Sequence, residues 1–240
     1  MSRKRRQGLI SLFAIADLHL SFGTNKPMDV FGATWERHAE RIERAWREQI
    51  ADEDVVLIPG DISWAMRENE ALPDFAFLTS LPGRKILLRG NHDYWWSTKR
   101  KVEKLAGSDF SVLQNNAIPL AYVTIVGTRG WDLPHSKMTA EDHTIYRREV
   151  ERLRLSLEAG KKMDKPLIAM MHYPPITRHV RESEFSKLLE AYNVKLCVYG
   201  HLHGNAHQTR VEGIVRNVDY HLVAADFLKF SPLQLAFHSP

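Results

Sequence analysis

Short apolar runs alternate along the chain with stretches in which apolar residues recur every three or four positions. The first run, LISLFAIAD, ends at Asp17. A helical pattern follows at Trp35, Ala39, Ile42, Trp46 and Ile50, the spacing of one face of an amphipathic helix. DVVLIPGD then reads as a strand ending at Asp61, residues 71–79 as a short helix, RKILLRGNHD as a strand ending at Asn91, and residues 99–106 as another helix. FSVLQN and AYVTIVGT come with no helix between them, which predicts neighbouring strands. Tyr146, Val150, Leu153 and Leu157 share one face of the next helix, with Thr139 placed to cap it and Gly160 to stop it. KPLIAMMH predicts a strand ending at His172, residues 183–192 a helix, VKLCVYGH a strand ending at His201, and the chain from Gly213 onward a succession of strands.

Alternating strands and helices predict an α/β protein. A length of 240 residues suits one domain. The segment GTRGWDLPHSKM and the helix after it, about residues 128–164, interrupt the pattern before His172 and are the candidate lid or substrate-recognition insert. Asp17, Asp61, Asn91, His172 and His201 each follow the C-terminal end of an apolar strand, the edge at which open α/β sheets bind ligands.

Composition changes this picture little: 44% hydrophobic and 26% charged residues are ordinary for a globular protein. The net charge of +4 is accounted for by Arg3, Lys4, Arg5 and Arg6 alone, so the body of the chain is formally neutral. That disfavours a basic nucleic-acid groove. The basic start and the apolar run to Ile15 mimic a signal peptide. Cleavage at Ala14-Ile15-Ala16 would, however, remove the strand that leads into Asp17. No other run is long enough to span a bilayer, and the expected location is the cytoplasm. The one cysteine, Cys197, sits in an apolar run and reads as an inert buried thiol.

The chemistry lies in five segments: ADLHL, PGDIS, RGNHD, MMHYP and YGHLHG. They supply Asp17 and His19, Asp61, Asn91 and His92, His172, and His201 with His203. All donors are nitrogen or oxygen, a set suited to manganese, iron or zinc. The i, i+2 pairs, Asp17 with His19 and His201 with His203, would share one side of an extended segment. Any one segment occurs by chance in many proteins; five in this order, each at a strand end, do not.

In that order the segments resemble the calcineurin-like metallophosphoesterases, whose pattern is D-x-H, G-D, G-N-H-D/E, a lone H, and G-H-x-H. The resemblance spans Asp17 to His203. It implies a four-layer α/β/β/α sandwich of two mixed sheets, and two divalent metal ions (manganese, iron or zinc). Asp17, His19 and His203 would bind the first metal, and Asn91, His172 and His201 the second. Asp61 would bridge them, and His92 would face the substrate as a general acid. A water shared by two such cations would lose its proton readily and attack phosphorus. The implied substrate is a small phosphodiester or phosphomonoester, nucleotide-like in size. A nuclease, a nucleotide pyrophosphatase and a non-catalytic scaffold are the alternatives; a scaffold would be expected to have lost ligands that this chain keeps.

The surrounding residues narrow the substrate. GDISWAM replaces the GDYVDRG of protein phosphatases. His92 stands where the branch that cleaves lipid-linked nucleotides tends to have arginine. Asp93 is either a partner of His92 or the cap of the next helix. Trp64, Tyr94, Trp95 and Trp96 could stack on a base, with packing the favoured reading for the tryptophans. Arg129 and His135, and the loop with Arg178, His179 and Arg181, are further phosphate-facing candidates set against an ordinary surface role.

Overall fold

The computed structural model describes residues 10–236; the basic tail at Arg3, Lys4, Arg5 and Arg6 lies outside the described residues. The chain runs β1 (Leu12–Ala14), α1 (His38–Gln49), β2 (Val55–Pro59), α2 (Leu72–Ser80), β3 (Arg84–Leu88), α3 (Lys99–Ala106) and β4 (Phe110–Val112). It continues through β5 (Ile118–Pro119), β6 (Thr124–Thr128), α4 (Ala140–Lys161), β7 (Leu167–Met171), α5 (Glu184–Ala191) and β8 (Leu196–Tyr199). β9 (Gly213–Val215), β10 (Val218–Leu222) and β11 (Leu233–Leu235) complete it.

The strands form two mixed sheets, in the orders β11-β1-β2-β3-β4 and β5-β6-β7-β8-β10-β9. β1 to β4 are mutually parallel, with β11 antiparallel at the edge. β6, β7, β8 and β10 are parallel, with β5 and β9 antiparallel at the two edges. Because successive side chains on a strand point to opposite faces, each sheet has two apolar faces. Leu12, Ala14, Val55 and Leu57 meet Ile125, Ile168, Met170 and Val198 in the core between the sheets. The alternate residues Phe13, Val56 and Ile58 pack against Ile42 and Trp46 of α1 and Phe75 of α2. On the far side Val126, Ala169, Met171 and Cys197 pack against Leu153 and Leu157 of α4 and Phe185 of α5. Helices, sheet, sheet and helices are therefore four stacked layers. Buried Cys197 has its thiol pKa pushed up by desolvation, so the group stays protonated and unreactive.

Three features depart from the pattern-based expectation. β4 and β6 are not neighbours: β4 closes the edge of the first sheet beside β3, while β6 pairs with β5 and β7 in the second. No helix lies between them because the chain passes directly from one sheet to the other. Thr139 does cap α4, with a reciprocal hydrogen bond from its own backbone N–H to Asp142, but the helix runs past Gly160 to Lys161. Gly160 is there for close approach to β6: a Cβ on it would come within 2.4 Å of Val126 Cγ1. Trp35 lies in a single 3-10 turn ahead of α1 rather than on that helix, though it joins the same core. α4 packs on β6 and connects it to the parallel strand β7, so it is the crossover helix of a βαβ unit.

The sheets are stitched together at one end. The Ala16 N–H donates to Val223 O at 2.7 Å, and the Ala225 N–H donates to Ala16 O at 3.0 Å. This stitch lies one residue from Asp17, so the C-terminal ends of β1 and β10 open onto the same place.

Candidate metal centre

Strand ends supply the side chains, but left-handed turns aim them. Asp17 (φ 59°), His19 (φ 45°), Asp61 (φ 51°) and His201 (φ 72°) all have positive φ. The extended i, i+2 arrangement expected for Asp17/His19 and His201/His203 is therefore not what places them. Each turn costs about 1 kcal/mol or more and persists because its surroundings fix it. The Asp17 N–H is held by Gly60 O at 2.9 Å and the His19 N–H by Asp61 O at 3.0 Å. Gly90 allows the closest approach, since a Cβ there would lie 2.1 Å from Asp61 Oδ1.

Asp17, His19, Asp61 and His172 are buried, whereas Asn91, His92, His201 and His203 are partly open. Two groups of donors result. His203 Nε2 lies 3.4 Å from His19 Nε2 and 3.5 Å from Asp17 Oδ1. Asn91 Oδ1 lies 2.6 Å from His172 Nε2 and 2.9 Å from His201 Nδ1. Between the groups, Asp61 Oδ2 is 3.7 Å from His19 Nε2 and 3.6 Å from His172 Nε2. Its other oxygen, Oδ1, accepts the His92 backbone N–H at 2.8 Å.

Outer partners fix which ring atoms are free. His172 Nδ1 is 2.9 Å from Pro59 O. A carbonyl only accepts, so Nδ1 carries the proton and Nε2 presents a lone pair. His203 Nδ1 lies 3.0 Å from Asp226 Oδ1, which orients it in the same way. Asp226 Oδ2 also accepts the Gly204 N–H and lies 3.2 Å from His207 Nε2.

The donors fit a cation. Burial, and then the charges of Asp17 and Asp93, push the Asp61 carboxyl well above the usual carboxylate range. Burial pushes His172 down to about 3 and, with His172 beside it, His201 down to about 3. Both rings are thus neutral at any ordinary pH, as a ligand to a cation must be. For His203 burial works against the charged form, but Asp17 and Asp226 outweigh it and raise the ring to about 10. A proton on His203 stands where a metal's charge would serve the same carboxylates. Ligand atoms of Asp17, His19 and His203 lie within 4.8 Å of one another, as do those of Asp17, Asp61 and His172, and of His203, His207 and Asp226.

Two carboxylates here have roles that the motifs did not reveal. Asp93 is neither partner of His92 nor helix cap: its oxygens accept the backbone N–H groups of Asp61, Ile62, Ser63 and Gly90 and the Trp95 indole N–H. It clamps the second and third motif loops together, and Thr98 caps α3 instead. Asp226 follows LVAA at the end of β10 much as Asp17 follows AIA at the end of β1, and that echo was the available signal.

Beside His19 and His203 opens a cavity of about 580 Å³, walled by Met28, Phe31, Trp35 and Trp64, with His92 on its lining. Trp64 stacks on His19, with ring centroids 4.9 Å apart, and lies 4.6 Å from His92. Trp95 and Trp96 are buried in the core, so the aromatic motif residues divide between packing and cavity wall. Burial lowers the His92 pKa, and the Tyr94 hydroxyl lies 3.5 Å from its Nδ1. His135 and His179 are exposed, Arg178 Nη1 donates to Gln208 O at 3.3 Å, and Arg129 turns away into a separate pocket.

A family model described as calcineurin-like phosphoesterase matches residues 10–205. The gene 66 protein of Mycobacterium phage L5 is 24% identical over 192 residues, covering 78% of this chain and 75% of its own. A Coxiella burnetii protein named as a probable cyclic nucleotide phosphodiesterase is 28% identical over 163 residues, 63% of this chain and 61% of its own. In fold the chain is similar to the phosphopantetheinyl hydrolase of Mycobacterium tuberculosis (TM-score 0.61, 17% identity), with 95% of this chain and 96% of that one covered.

Proposed function

The chain belongs to the calcineurin-like phosphoesterases, and on that premise we propose that it hydrolyses a small phosphodiester or phosphomonoester with two divalent cations. That it is a metal-dependent hydrolase of phosphoesters follows from the family; the number of metals, the ligand set and the substrate are our reading. The observation that carries it is the position of Asp61 Oδ2, nearly equidistant from His19 Nε2 and His172 Nε2 at 3.7 and 3.6 Å. One oxygen so placed serves both donor groups. Asp17, His19 and His203 would hold one cation, and Asn91, His172 and His201 the other. Manganese, iron or zinc suits these nitrogen and oxygen donors. Two divalent cations held there would polarise the phosphoryl group and make water a nucleophile near neutral pH.

The chain's own residues do the rest. Asp17 and Asp61 return two negative charges against four positive ones, which leaves the centre attractive to a phosphate. Asp226 and Pro59 keep the His203 and His172 lone pairs turned inward. His92 lines the cavity, with its backbone tied to Asp61 and its side chain free to donate to a phosphoryl oxygen. Burial disfavours its charged form, and a bound phosphate would favour it again, as a proton donor to a departing alkoxide requires. The cavity's volume falls in the range of small-molecule sites. Its Phe31, Trp35 and Trp64 wall suits an aromatic or apolar group on the ester, and a nucleobase is the favoured case. The loop between β6 and α4, whose Trp131 packs on Tyr173 at 5.3 Å, is the candidate lid; Tyr173 in turn packs on His201 at 4.1 Å.

Among the described residues no helix is long and apolar enough to cross a membrane. The test is hydrolysis of bis(p-nitrophenyl) phosphate with added manganese and again after chelation, followed by a series of cyclic and linear nucleotides. Turnover that survives chelation would overturn the proposal, as would a stoichiometry of one metal per active chain.

A further inference from the structure

Away from the metal centre lies a cavity of about 250 Å³ lined by four arginines: Arg89 just past β3, Arg129 just past β6, and Arg148 and Arg152 on α4. The acidic side chain on its lining is Glu149, which is buried. Glu149 is already engaged, since Thr128 Oγ1 donates to its Oε2 at 2.7 Å and Arg152 Nη1 to its Oε1 at 2.7 Å. Arg148 and Arg129 stand off from the same oxygen at 3.6 and 3.9 Å. Four guanidinium charges thus face one carboxylate. The Nε atoms of Arg89 and Arg129 are also buried with no hydrogen-bond partner among the described residues.

Buried donors without acceptors and an excess of like charge are both costly. An anion in the cavity would relieve both. Guanidinium forks match the oxygens of phosphate bidentately. A carboxylate ligand would cancel one charge and satisfy fewer donors. The volume is below that of ordinary organic-ligand pockets, which points to a single phosphate group rather than a nucleotide buried whole.

We propose that this cavity is a second anion site, built to bind an inorganic phosphate or one terminal phosphate group of a larger molecule. It shares no lining residue with the cavity beside the metal centre. The two nonetheless lie on neighbouring stretches of backbone. Arg89 directly precedes Gly90 and Asn91, and Arg129 O accepts the backbone N–H groups of His172 and Tyr173 at 3.1 and 2.9 Å.

The test is calorimetric titration of inorganic phosphate into the full-length protein at low salt, metal-loaded and after chelation. The loaded protein should show two phosphate sites and the chelated protein one. Arg89→Gln and, separately, the half-exposed Arg148→Gln should each weaken the chelation-resistant site by about tenfold or more. Neither should move the other site. If Arg89→Gln fails to fold, Arg148→Gln still decides. A terminal phosphate on a larger molecule is distinguished from free phosphate by repeating the titration with AMP: tighter binding than phosphate at the chelation-resistant site assigns the larger source, and equal or weaker binding the free ion. No phosphate binding after chelation, or binding indifferent to both substitutions, would overturn the proposal.

Discussion

The candidate metal centre and the arginine cavity are both built at the C-terminal ends of strands from both sheets, and both bury groups of like charge close together. Their signs are opposite and so is their construction. At the candidate metal centre three of the donors are fixed by short tethers: His172 by Pro59 O, His203 by Asp226, and Asp61 by the His92 backbone. In the cavity long side chains come from three segments, and Arg129, Arg148 and Arg152 converge on one anchor, Glu149. Short tethers preorganise a fixed coordination geometry, whereas long arginines can adjust to whichever anion arrives. The first cluster should therefore fail sharply when one tether is cut, and the second should weaken by degrees.

Four measurements decide whether that contrast holds. The largest is expected for Asp61→Asn, which removes the oxygen lying between the two donor groups. Metal content of the purified protein should fall, and turnover should fall on the order of 10⁴-fold, as when a buried charge loses its counter-charge. Retention of two metals with near-normal turnover would dissolve the bridging role. His92→Gln comes next: turnover should drop about 10²–10⁴-fold while metal content, measured by elemental analysis, stays at the wild-type level. Asp226→Asn tests a tether instead of a ligand. Metal affinity should weaken about 10–100-fold, and an unchanged dissociation constant would make Asp226 a bystander.

The smallest expected effect is a slope in pH. In the metal-free protein His203 is raised to about 10 by Asp17 and Asp226, so it carries a proton at neutral pH that an arriving cation must displace. Affinity should therefore rise with pH, by about tenfold per unit from His203 and more steeply wherever the raised Asp61 carboxyl still holds a proton, and level off near pH 10. His172 and His201, held down to about 3, add nothing to the slope in this window. Direct titration of metal at several pH values measures it. In Asp226→Asn the His203 pKa should drop and the slope should flatten at a lower pH.

Much of this was legible along the chain because it depends on local pattern. Apolar runs bounded by Asp17, Asp61, Asn91, His172 and His201 located the strand ends that carry donors, and the spacing of Tyr146, Val150, Leu153 and Leu157 located α4. The identity of these donors also narrowed the ions that would suit them, since ligand softness is a property of the side chain alone. Other features were not readable in this way. FSVLQN and AYVTIVGT look alike as strands, yet β4 and β6 belong to different sheets, because pairing is decided by where the chain crosses over. The positive φ at Asp17, His19, Asp61 and His201 comes from hydrogen bonds between loops of different strands, and no i, i+2 spacing reveals it. Asp226 reaches His203 only because β10 lies beside β8 in the sheet. The convergence of Arg89, Arg129, Arg148 and Arg152 is likewise a product of the βαβ crossover that lays α4 over β6. In sequence Arg129 is a phosphate-facing candidate, but nothing there sets it beside Arg89, Arg148 and Arg152. The sequence determined which groups could ligate and where each strand hands one over; the tertiary structure decided which of those groups meet, because charges repel or attract across distances set by packing rather than by position along the chain.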